Sequence, residues 1–242
     1  MGPVRSISYS KHSDKQAEKR LGFSLIAFDR DSISVTQMLA TADQEAKVQG
    51  LTGEEVKEAK ETVYGRITEY LEGEGYPSET NEDHKEANVN DLVFAVLIPV
   101  ISMFKRKTGQ NLYLRREKTI IARDGKSSGN QEFVMIHDSL DYREFVFVIE
   151  AKRTSLGKGK KQCLLAMKDM GELNGKGVVY GFVTTGEAWQ MLRFDGTMFT
   201  QSDRFFVLFH EVKNDKEGWM EGGSVVVDCI HATLRSGGFA VK

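Results

Sequence analysis

The sequence has little cysteine and little proline, with two cysteines and three prolines in 242 residues. Cys163 and Cys229 lie in apolar surroundings without the spacing of metal ligands, so we expect two buried thiols in a reducing interior rather than a disulfide. The N-terminus has no apolar signal-peptide core. No apolar run approaches the length of a membrane span, since the longest, residues 92–104, contains Pro99. We therefore expect an intracellular protein, cytoplasmic or nuclear, with no membrane partner.

Charge is unevenly divided along the chain, although the net charge is only −2. Residues 43–86 carry 13 acidic against 5 basic side chains, whereas residues 104–176 carry 16 basic against 9 acidic ones. Two solvated surfaces of opposite sign are the simplest interpretation. The second segment is also suited to a polyanion, because a basic surface attracts phosphates without reading their sequence.

Periodicity and turn-forming composition predict three parts in the chain. The first part is polar without periodicity, which predicts a mobile arm. The second is helical and ends in a linker rich in Gly and Glu, and the third combines helices with strands. Their predicted bounds are residues 1–20, 21–83 and 84–242.

The helical signal is strongest in two segments. Apolar side chains recur at helical spacing over residues 31–71, where Thr52 and Glu55 form a capping-box pattern. The segment "DLVFAVLIPVISMF" is apolar on all sides, which predicts a buried central helix over residues 86–105 that bends near Pro99.

Strand-like runs bounded by turn residues follow this helix. "QEFVMIH" and "REFVFVIEAK", joined by "DSLDY", predict one hairpin, and "GVVYGFVTT" with "AWQMLRF" predicts another. Between the hairpins, "KKQCLLAMKDMGEL" is predicted to be an amphipathic helix. Further strands are predicted at residues 112–114, 118–122, 205–209 and 224–230, with a turn-rich loop at 124–130.

Three ring-bearing side chains near these strands have structural interpretations. Tyr180 and Trp189 are expected to be core aromatics rather than surfaces for stacking bases. His137 is expected to be exposed beside the first hairpin turn.

The strand "FVFVIEAK" ends in an acid and a base at the rim of an apolar core. Both of its faces are apolar up to Glu150, which predicts a central strand covered on both sides. A hairpin folded about residues 140–141 brings Glu132 next to Glu150. Strand alternation predicts that one face carries four side chains: Val146, Val148, Glu150 and Lys152.

Two neighbouring carboxylates repel each other, so either a proton or a cation must lie between them. Hard oxygen ligands suit Mg²⁺ or Mn²⁺, and an ammonium alongside orients water or stabilises charge that builds on a phosphate. A partly exposed ion pair between Glu150 and Lys152 would explain the same two residues without any chemistry.

The order of these elements resembles the PD-(D/E)XK nuclease superfamily, which has the restriction-endonuclease-like fold. The resemblance covers about residues 86–209, with the RecB-type and type I restriction N-terminal branches as the most similar ones. It rests on the apolar helix, the acid in the hairpin, the "FVIEAK" strand, a helix starting with "KQ", and the "VVYGFVTTGEAWQMLRF" hairpin. It implies an α/β fold in which helices flank a mixed β-sheet core, with a helical N-terminal extension.

The resemblance also assigns roles to individual residues. It implies that Glu132 and Glu150 bind Mg²⁺ or Mn²⁺ and that Lys152 assists attack on a phosphodiester. Gln162 matches a glutamine that some branches carry on the next helix, and Glu86 matches an acid that some members carry on the preceding one. Gln162 is also explained as an ordinary polar residue in a first helical turn, and for Glu86 a solvated first-turn residue that favours the helix dipole is the simpler interpretation.

The sequence departs from the family pattern at the first acid. The family usually has Asp at this point, often after Pro, whereas "GNQEFVMI" offers Glu132. Glutamate binds the same metals, but its extra methylene moves the carboxylate away from the backbone. The departure therefore bears on cleavage more than on the fold.

The segment "KRTSLGKGKK" is predicted to be a flexible basic loop between the strand and the next helix. It lacks the Gly-x-x-x-x-Gly-Lys-Ser/Thr spacing of a P-loop. Its basic side chains are candidates for contacts to a nucleic-acid backbone that do not read sequence. These candidates are Arg153, Lys158, Lys160 and Lys161.

We expect from the sequence a nuclease that requires Mg²⁺ or Mn²⁺ and acts on nucleic acid, DNA more than RNA. A first alternative has the same fold without cleavage, as a module that binds nucleic acid or a protein partner. A second is an effector or toxin-type domain, a class in which nuclease-like folds recur. The position of Glu132 separates the nuclease from the non-cleaving module, because cleavage requires it on the face of Glu150.

Overall fold

The computed structural model describes residues 6–78, 80–138 and 143–238. Its centre is a mixed sheet of seven strands with helices on both faces. The strands are β1 Ile7–Ser8, β2 Leu112–Ile121, β3 Ser127–Asp138, β4 Arg143–Ala151, β5 Val179–Thr184, β6 Ala188–Phe194 and β7 Phe199–Phe206. The helices are α1 Asp14–Leu21, α2 Leu25–Phe28, α3 Val35–Gln44, α4 Gly53–Glu74, α5 Glu86–Thr108, α6 Leu156–Leu173, α7 Lys216–Gly218 and α8 Val225–Ser236. Short 3-10 segments lie at Tyr9–Lys11 and Val212–Asn214, with a π-helical turn at Trp219–Gly223.

The sheet runs in the order β2-β3-β4-β5-β6-β7, and β1 pairs in parallel with the start of β3. β4 and β5 are parallel, and the other neighbours in this order are antiparallel. Parallel neighbours need a long crossover connection, and α6 provides it between β4 and β5. The residues that follow β4 therefore lead directly into α6.

Two apolar cores cover the two faces of the sheet. α1 and α6 contribute to one core, and α3, α4, α5 and α8 contribute to the other. Along β4, Phe147 and Ile149 belong to the second core whereas Val148 belongs to the first, as strand alternation requires. The expected α/β fold with a mixed sheet flanked by helices is confirmed, and so is a β4 strand buried on both faces.

The N-terminal residues 6–20 are bound to the rest of the protein, so the prediction of a mobile arm is wrong for them. Ile7 pairs with Ser127 in the sheet. The buried hydroxyl of Tyr9 donates a hydrogen bond of 2.7 Å to Asp169, and Arg20 forms an ion pair of 2.5 Å with the same carboxylate. The polar composition concealed these contacts because the partner of both groups is a buried acid.

The second predicted part, residues 21–83, shares its core with the third. α3 and α4 contribute to the same apolar cluster as α5 and α8. The capping box is confirmed, since Thr52 Oγ1 accepts from Glu55 N and Glu55 Oε2 accepts from Thr52 N. The predicted helix over 31–71 is two helices, because α3 ends at Gln44 before α4 begins at Gly53.

α5 is the central buried helix that the sequence predicted, and it passes through Pro99. It is long and apolar enough to cross a membrane by length and composition, so the expectation that no segment approaches that length is wrong. Half of its most apolar stretch is buried inside the protein. A core helix of a soluble protein has the same properties, which makes this helix weak evidence for a membrane span.

Several strand predictions need correction. Residues 112–121 form one strand, which continues through the charged residues 115–117 that separated the two predicted strands, and Glu117 within it has a φ of 49°. Residues 127–130 belong to β3 rather than to a loop. The last sheet strand is Phe199–Phe206 rather than 205–209. Residues 225–230 are helical: the β-branched run "VVVDCI" favours a strand locally, but α8 is buried along nearly its whole length against α3, α4 and α5.

A β-bulge changes the faces of the first hairpin. Ile136 pairs with Phe145 and Met135 pairs with Phe147, so Val146 is the extra residue. Val146 therefore joins the core of Phe147 instead of the core of Val148. The prediction that Val146 shares the face of Glu150 is wrong for this reason, and the predicted turn at residues 140–141 lies outside the described residues.

Predictions for individual buried side chains are mostly confirmed. Cys163 and Cys229 are free, buried thiols. Tyr180 and Trp189 are fully buried core aromatics. His137 is buried rather than exposed, with its Nδ1 atom 3.9 Å from Glu144 Oε2.

Candidate functional site

β3 and β4 bring the two glutamates of the predicted site together. The antiparallel register pairs Phe133 with Ile149, so the next position of the same register places Glu132 opposite Glu150. Directly opposite residues in an antiparallel pair project to the same face. The contacts of both carboxylates with Lys152 agree with this placement.

The ammonium of Lys152 lies among three carboxylates. Lys152 Nζ is 3.1 Å from Glu150 Oε2 and 3.8 Å from Glu132 Oε1. It is also 3.0 Å from Glu86 Oε1, which belongs to the first turn of α5. The backbone N–H of Lys152 donates to Thr184 O at 2.9 Å, so the end of β4 is held by β5. Three of the predicted acids and the predicted base therefore form one cluster.

Burial makes this cluster electrostatically unusual. Glu150 is only 1% exposed, and burial raises its pKa to about 8 even though Lys152 acts in the opposite direction. Burial also raises the pKa of Glu132. Burial alone would lower the pKa of Lys152, but Glu150 and Glu86 raise it above its usual value. The two adjacent acids therefore hold a proton more readily than free carboxyls do.

α5 supplies two side chains to the site from the same helical face. Asn90 Nδ2 donates a hydrogen bond of 2.7 Å to Glu132 Oε2. Glu86, which contacts Lys152, lies four residues earlier, and residues at this spacing are neighbours on a helix. Glu86 is half exposed, so α5 closes the cluster on its solvent side. Asn90 was missed by the sequence analysis, although its spacing from Glu86 was a usable signal.

α6 lies directly against the cluster because Gly159 has no side chain. A Cβ atom at this position would be 3.2 Å from Lys152 Cγ and 3.6 Å from Glu150 Cβ. Gln162 lies one turn further along α6 and is half buried, and within the described part of the chain its side chain forms no hydrogen bond with Glu150 or Lys152. The predicted glutamine is thus near the site without contacting it.

The predicted basic loop is mostly helix. α6 begins at Leu156, five residues earlier than predicted, because Leu156 is buried and Gly159 allows close approach to β4. Arg153 donates a hydrogen bond of 2.9 Å to Asn81 O. Lys158 is exposed.

The other two lysines of this segment form contacts within the protein, Lys160 from a buried position and Lys161 with an exposed acid. Lys160 is only 5% exposed, and its Nζ lies 2.6 Å from Asp29 Oδ1 and 2.9 Å from Gln201 Oε1. Its predicted contact to a nucleic-acid backbone is therefore corrected, since a buried and paired ammonium cannot reach a phosphate. Lys161 pairs with Asp14 Oδ1 at 2.8 Å, where Asp14 is well exposed. A cavity of about 340 Å³ separates these groups, with Lys158 at its rim.

The donor atoms of the cluster fit a hard divalent cation. Glu150 Oε1 and Asn90 Oδ1 are both buried without a hydrogen-bond partner, and a buried acceptor in this state costs about 1–3 kcal/mol. Carboxylate and amide oxygens are ligands that Mg²⁺ and Mn²⁺ accept. No group of three or more His, Cys, Asp or Glu side chains among residues 6–78, 80–138 and 143–238 is arranged to hold a metal ion. The candidate ligands of a cation are thus Glu132, Glu150 and Asn90, whereas Glu86 is a partner of Lys152.

Comparison with known proteins does not assign the chain to a family. No protein-family model matches the chain, and no curated protein matches it.

Proposed function

We propose that the protein is a metal-dependent nuclease with the restriction-endonuclease-like fold, which hydrolyses phosphodiester bonds of nucleic acid, DNA in preference to RNA. The observation that carries the proposal is the cluster in which Glu132 stands opposite Glu150 with the Lys152 ammonium within 3.8 Å of both carboxylates. The order of elements supports the fold: an apolar helix, three antiparallel strands, a crossover helix and a parallel strand. Two buried free thiols are consistent with an intracellular location.

Glu132 and Glu150 are the residues that would hold Mg²⁺ or Mn²⁺. When bound, such a cation lowers the pKa of water and offsets negative charge on a phosphate. Asn90 holds the Glu132 carboxylate in position through its 2.7 Å hydrogen bond. That contact offsets the longer side chain at the first acid, because an anchored glutamate has fewer orientations than a free one.

Lys152 has two partners that fix its position, Glu150 and Glu86. Its ammonium is partly exposed, at 16% for the side chain, so it can meet a phosphate that approaches from solvent. A fixed positive charge in a largely dry site stabilises negative charge as it develops on the phosphoryl oxygens. Lys152 is therefore assigned the electrostatic role, and Glu86 is assigned a positioning role through Lys152.

The second candidate is a module of the same fold that binds nucleic acid or a protein partner without cleavage. The favouring observation is that Lys152 Nζ already lies 3.1 Å from Glu150 and 3.0 Å from Glu86. The ammonium balances one of these two charges, and the raised pKa of Glu150 lets that carboxyl hold a proton without a metal. An effector or toxin-type role would use either version of the fold.

The test is incubation of the protein with plasmid, linear duplex, single-stranded DNA and RNA, each with Mg²⁺, Mn²⁺ or a chelator. The nuclease predicts cleavage with at least one metal and none with chelator. Glu150→Gln, prepared in the same way, controls for contaminating nucleases. Binding without cleavage under every metal would instead support the second candidate.

A further inference from the structure

An aromatic ring and a guanidinium group lie together on the surface beside the site. Phe94 on α5 is 37% exposed, and Arg116 Cζ lies 5.4 Å from the centre of its ring. The same guanidinium lies 5.5 Å from the ring of Phe133. The Arg116 side chain is itself 47% exposed, so two flat groups that stack on other flat groups are open to solvent.

Both groups lie near Asn90, the α5 residue that contacts Glu132. Phe94 lies one helical turn beyond Asn90, which is a neighbouring position on the helix surface, and Asn90 donates to the Glu132 carboxylate. Arg116 lies over the Phe94 ring and pairs with Asp91, the residue that follows Asn90. Phe94 and Arg116 thus lie within about one helical turn of the α5 residue that contacts the first carboxylate.

The strand that carries Arg116 is basic. β2 presents Arg115, Arg116 and Lys118 against a single acid, Glu117, and within the described residues it pairs only with β3. Asp91 lies 3.2 Å from Arg116, and both side chains are about half exposed. Such an exposed pair contributes less than about 1 kcal/mol and exchanges readily for another anion.

We propose that Phe94 and Arg116 form a platform on which an unpaired nucleobase stacks, and that the substrate of the site is single-stranded nucleic acid. The inference rests on the proposed function for its choice of ligand. A polyanion complements the charge of β2, and a base offers the flat partner that a phosphate alone lacks. Bases inside a duplex already stack on each other, so their faces are closed to the platform.

The test uses a fluorescein-labelled oligothymidylate of about twenty nucleotides, which exceeds a typical single-strand binding site, and a duplex of the same length. Binding is measured by anisotropy with chelator present, so that no cleavage occurs. The variants are Phe94→Ala, Phe94→Trp and Arg116→Gln. Phe206→Ala and Arg204→Gln are matched controls, because both residues are exposed on β7 at the opposite edge of the sheet.

We expect Phe94→Ala to weaken binding of the single strand roughly tenfold, the size typical of one lost stacking contact, with duplex binding unchanged. Phe94→Trp retains the wild-type affinity. The slope of log affinity against log salt stays the same for Phe94→Ala, since no charge is lost, and becomes shallower for Arg116→Gln. The two β7 controls behave as wild type.

Three results would overturn the platform: no binding of the single strand by wild type, wild-type binding by Phe94→Ala, or equal losses for single strand and duplex. These outcomes are distinguishable from failure of the proposed function. If wild type cleaves DNA but Phe94→Ala binds the single strand with wild-type affinity, the nuclease proposal stands and the platform is refuted. If Phe94→Ala weakens single-strand binding but wild type never cleaves, the platform stands and the nuclease proposal is refuted.

Discussion

Replacing Lys152 with methionine removes the ammonium shared by three carboxylates and keeps most of the apolar stem. Of the three carboxylates, Glu150 loses the largest favourable electrostatic interaction, because it is 1% exposed and 3.1 Å from the ammonium. Glu86 is half exposed and can return to water. We expect the variant to fold and to be less stable than wild type, with a loss that depends on pH.

The pH dependence follows from the raised pKa of Glu150. Its pKa is about 8 in the folded protein, against 4.5 for the free side chain, so the folded state binds more protons between these values and stability falls as pH rises through this range. Near pH 6 the carboxyl of Glu150 is neutral and tolerates the loss of Lys152. Near pH 9 wild type contains the ion pair, whereas in the variant Glu150 takes up a proton rather than remain an unpaired buried charge. Because pH 9 lies about one unit above the wild-type pKa of Glu150, the loss caused by Lys152→Met should be larger at pH 9 than at pH 6 by about 1 kcal/mol.

The assay is chemical denaturation of wild type and variant at pH 6 and pH 9, with chelator present to exclude bound metal. Lys60→Met is the matched control, since Lys60 forms an ion pair of 2.7 Å with Asp228 while both side chains remain partly exposed. That pair should contribute less than about 1 kcal/mol at either pH. A Lys152→Met loss that is the same at both pH values, or no larger than that of Lys60→Met, would refute the electrostatic account of the cluster.

Three further predictions concern other parts of the molecule. Burial lowers the pKa of His231 to about 4, so the unfolded chain binds more protons than the folded one between pH 6.5 and 4, and about 3 kcal/mol of stability should be lost as pH falls through that range. In His231→Gln the free energy of unfolding should depend less steeply on pH over this range. An unchanged pH dependence would count against the buried neutral histidine. Calorimetric titration of Mn²⁺ should give binding by wild type in the proposed site and none by Glu150→Ala, whereas equal binding would exclude this site. Neutralising Lys158 and Lys161 should flatten the dependence of nucleic-acid affinity on salt. Lys160→Met, at a buried position, should lower the thermal midpoint and leave that salt dependence unchanged. The reverse pattern would contradict the structural role given to Lys160.

Much of the site followed from local pattern because the hairpin is a local structure. The alternation in "FVFVIEAK" and the short connection to "QEFVMI" were enough to bring Glu132 near Glu150. The bulge at Val146 could not be predicted, since nothing in the composition distinguishes an extra strand residue from a regular one. It lies between the turn and the site and shifts the register by one residue, so that Glu132 rather than Gln131 lies in line with Glu150.

Contacts between distant segments were the main source of error. The glycines in "SLGKGKK" favoured a loop, but Gly159 serves the close approach of α6 to β4, and Lys160 is held by Asp29 from the N-terminal part of the chain. Tyr9 and Arg20 likewise contact Asp169, which lies 160 residues after Tyr9 and 149 residues after Arg20. Tertiary contacts of this kind override local preference, and no short stretch of sequence contains them.

The most direct test of the nuclease proposal is the single-turnover cleavage rate of Glu150→Gln against wild type at pH 7, with the unfolding midpoint of each preparation measured alongside. The carboxyl of Glu150 has a pKa of about 8 and is largely neutral at this pH, so an isosteric amide should leave the fold nearly as stable as wild type. We expect cleavage in Mg²⁺ or Mn²⁺ by wild type and a loss on the order of a hundredfold or more in the variant, the size typical of removing one electrostatic group from an active site. Equal rates for both proteins, or no cleavage by wild type with either metal, would contradict the proposal.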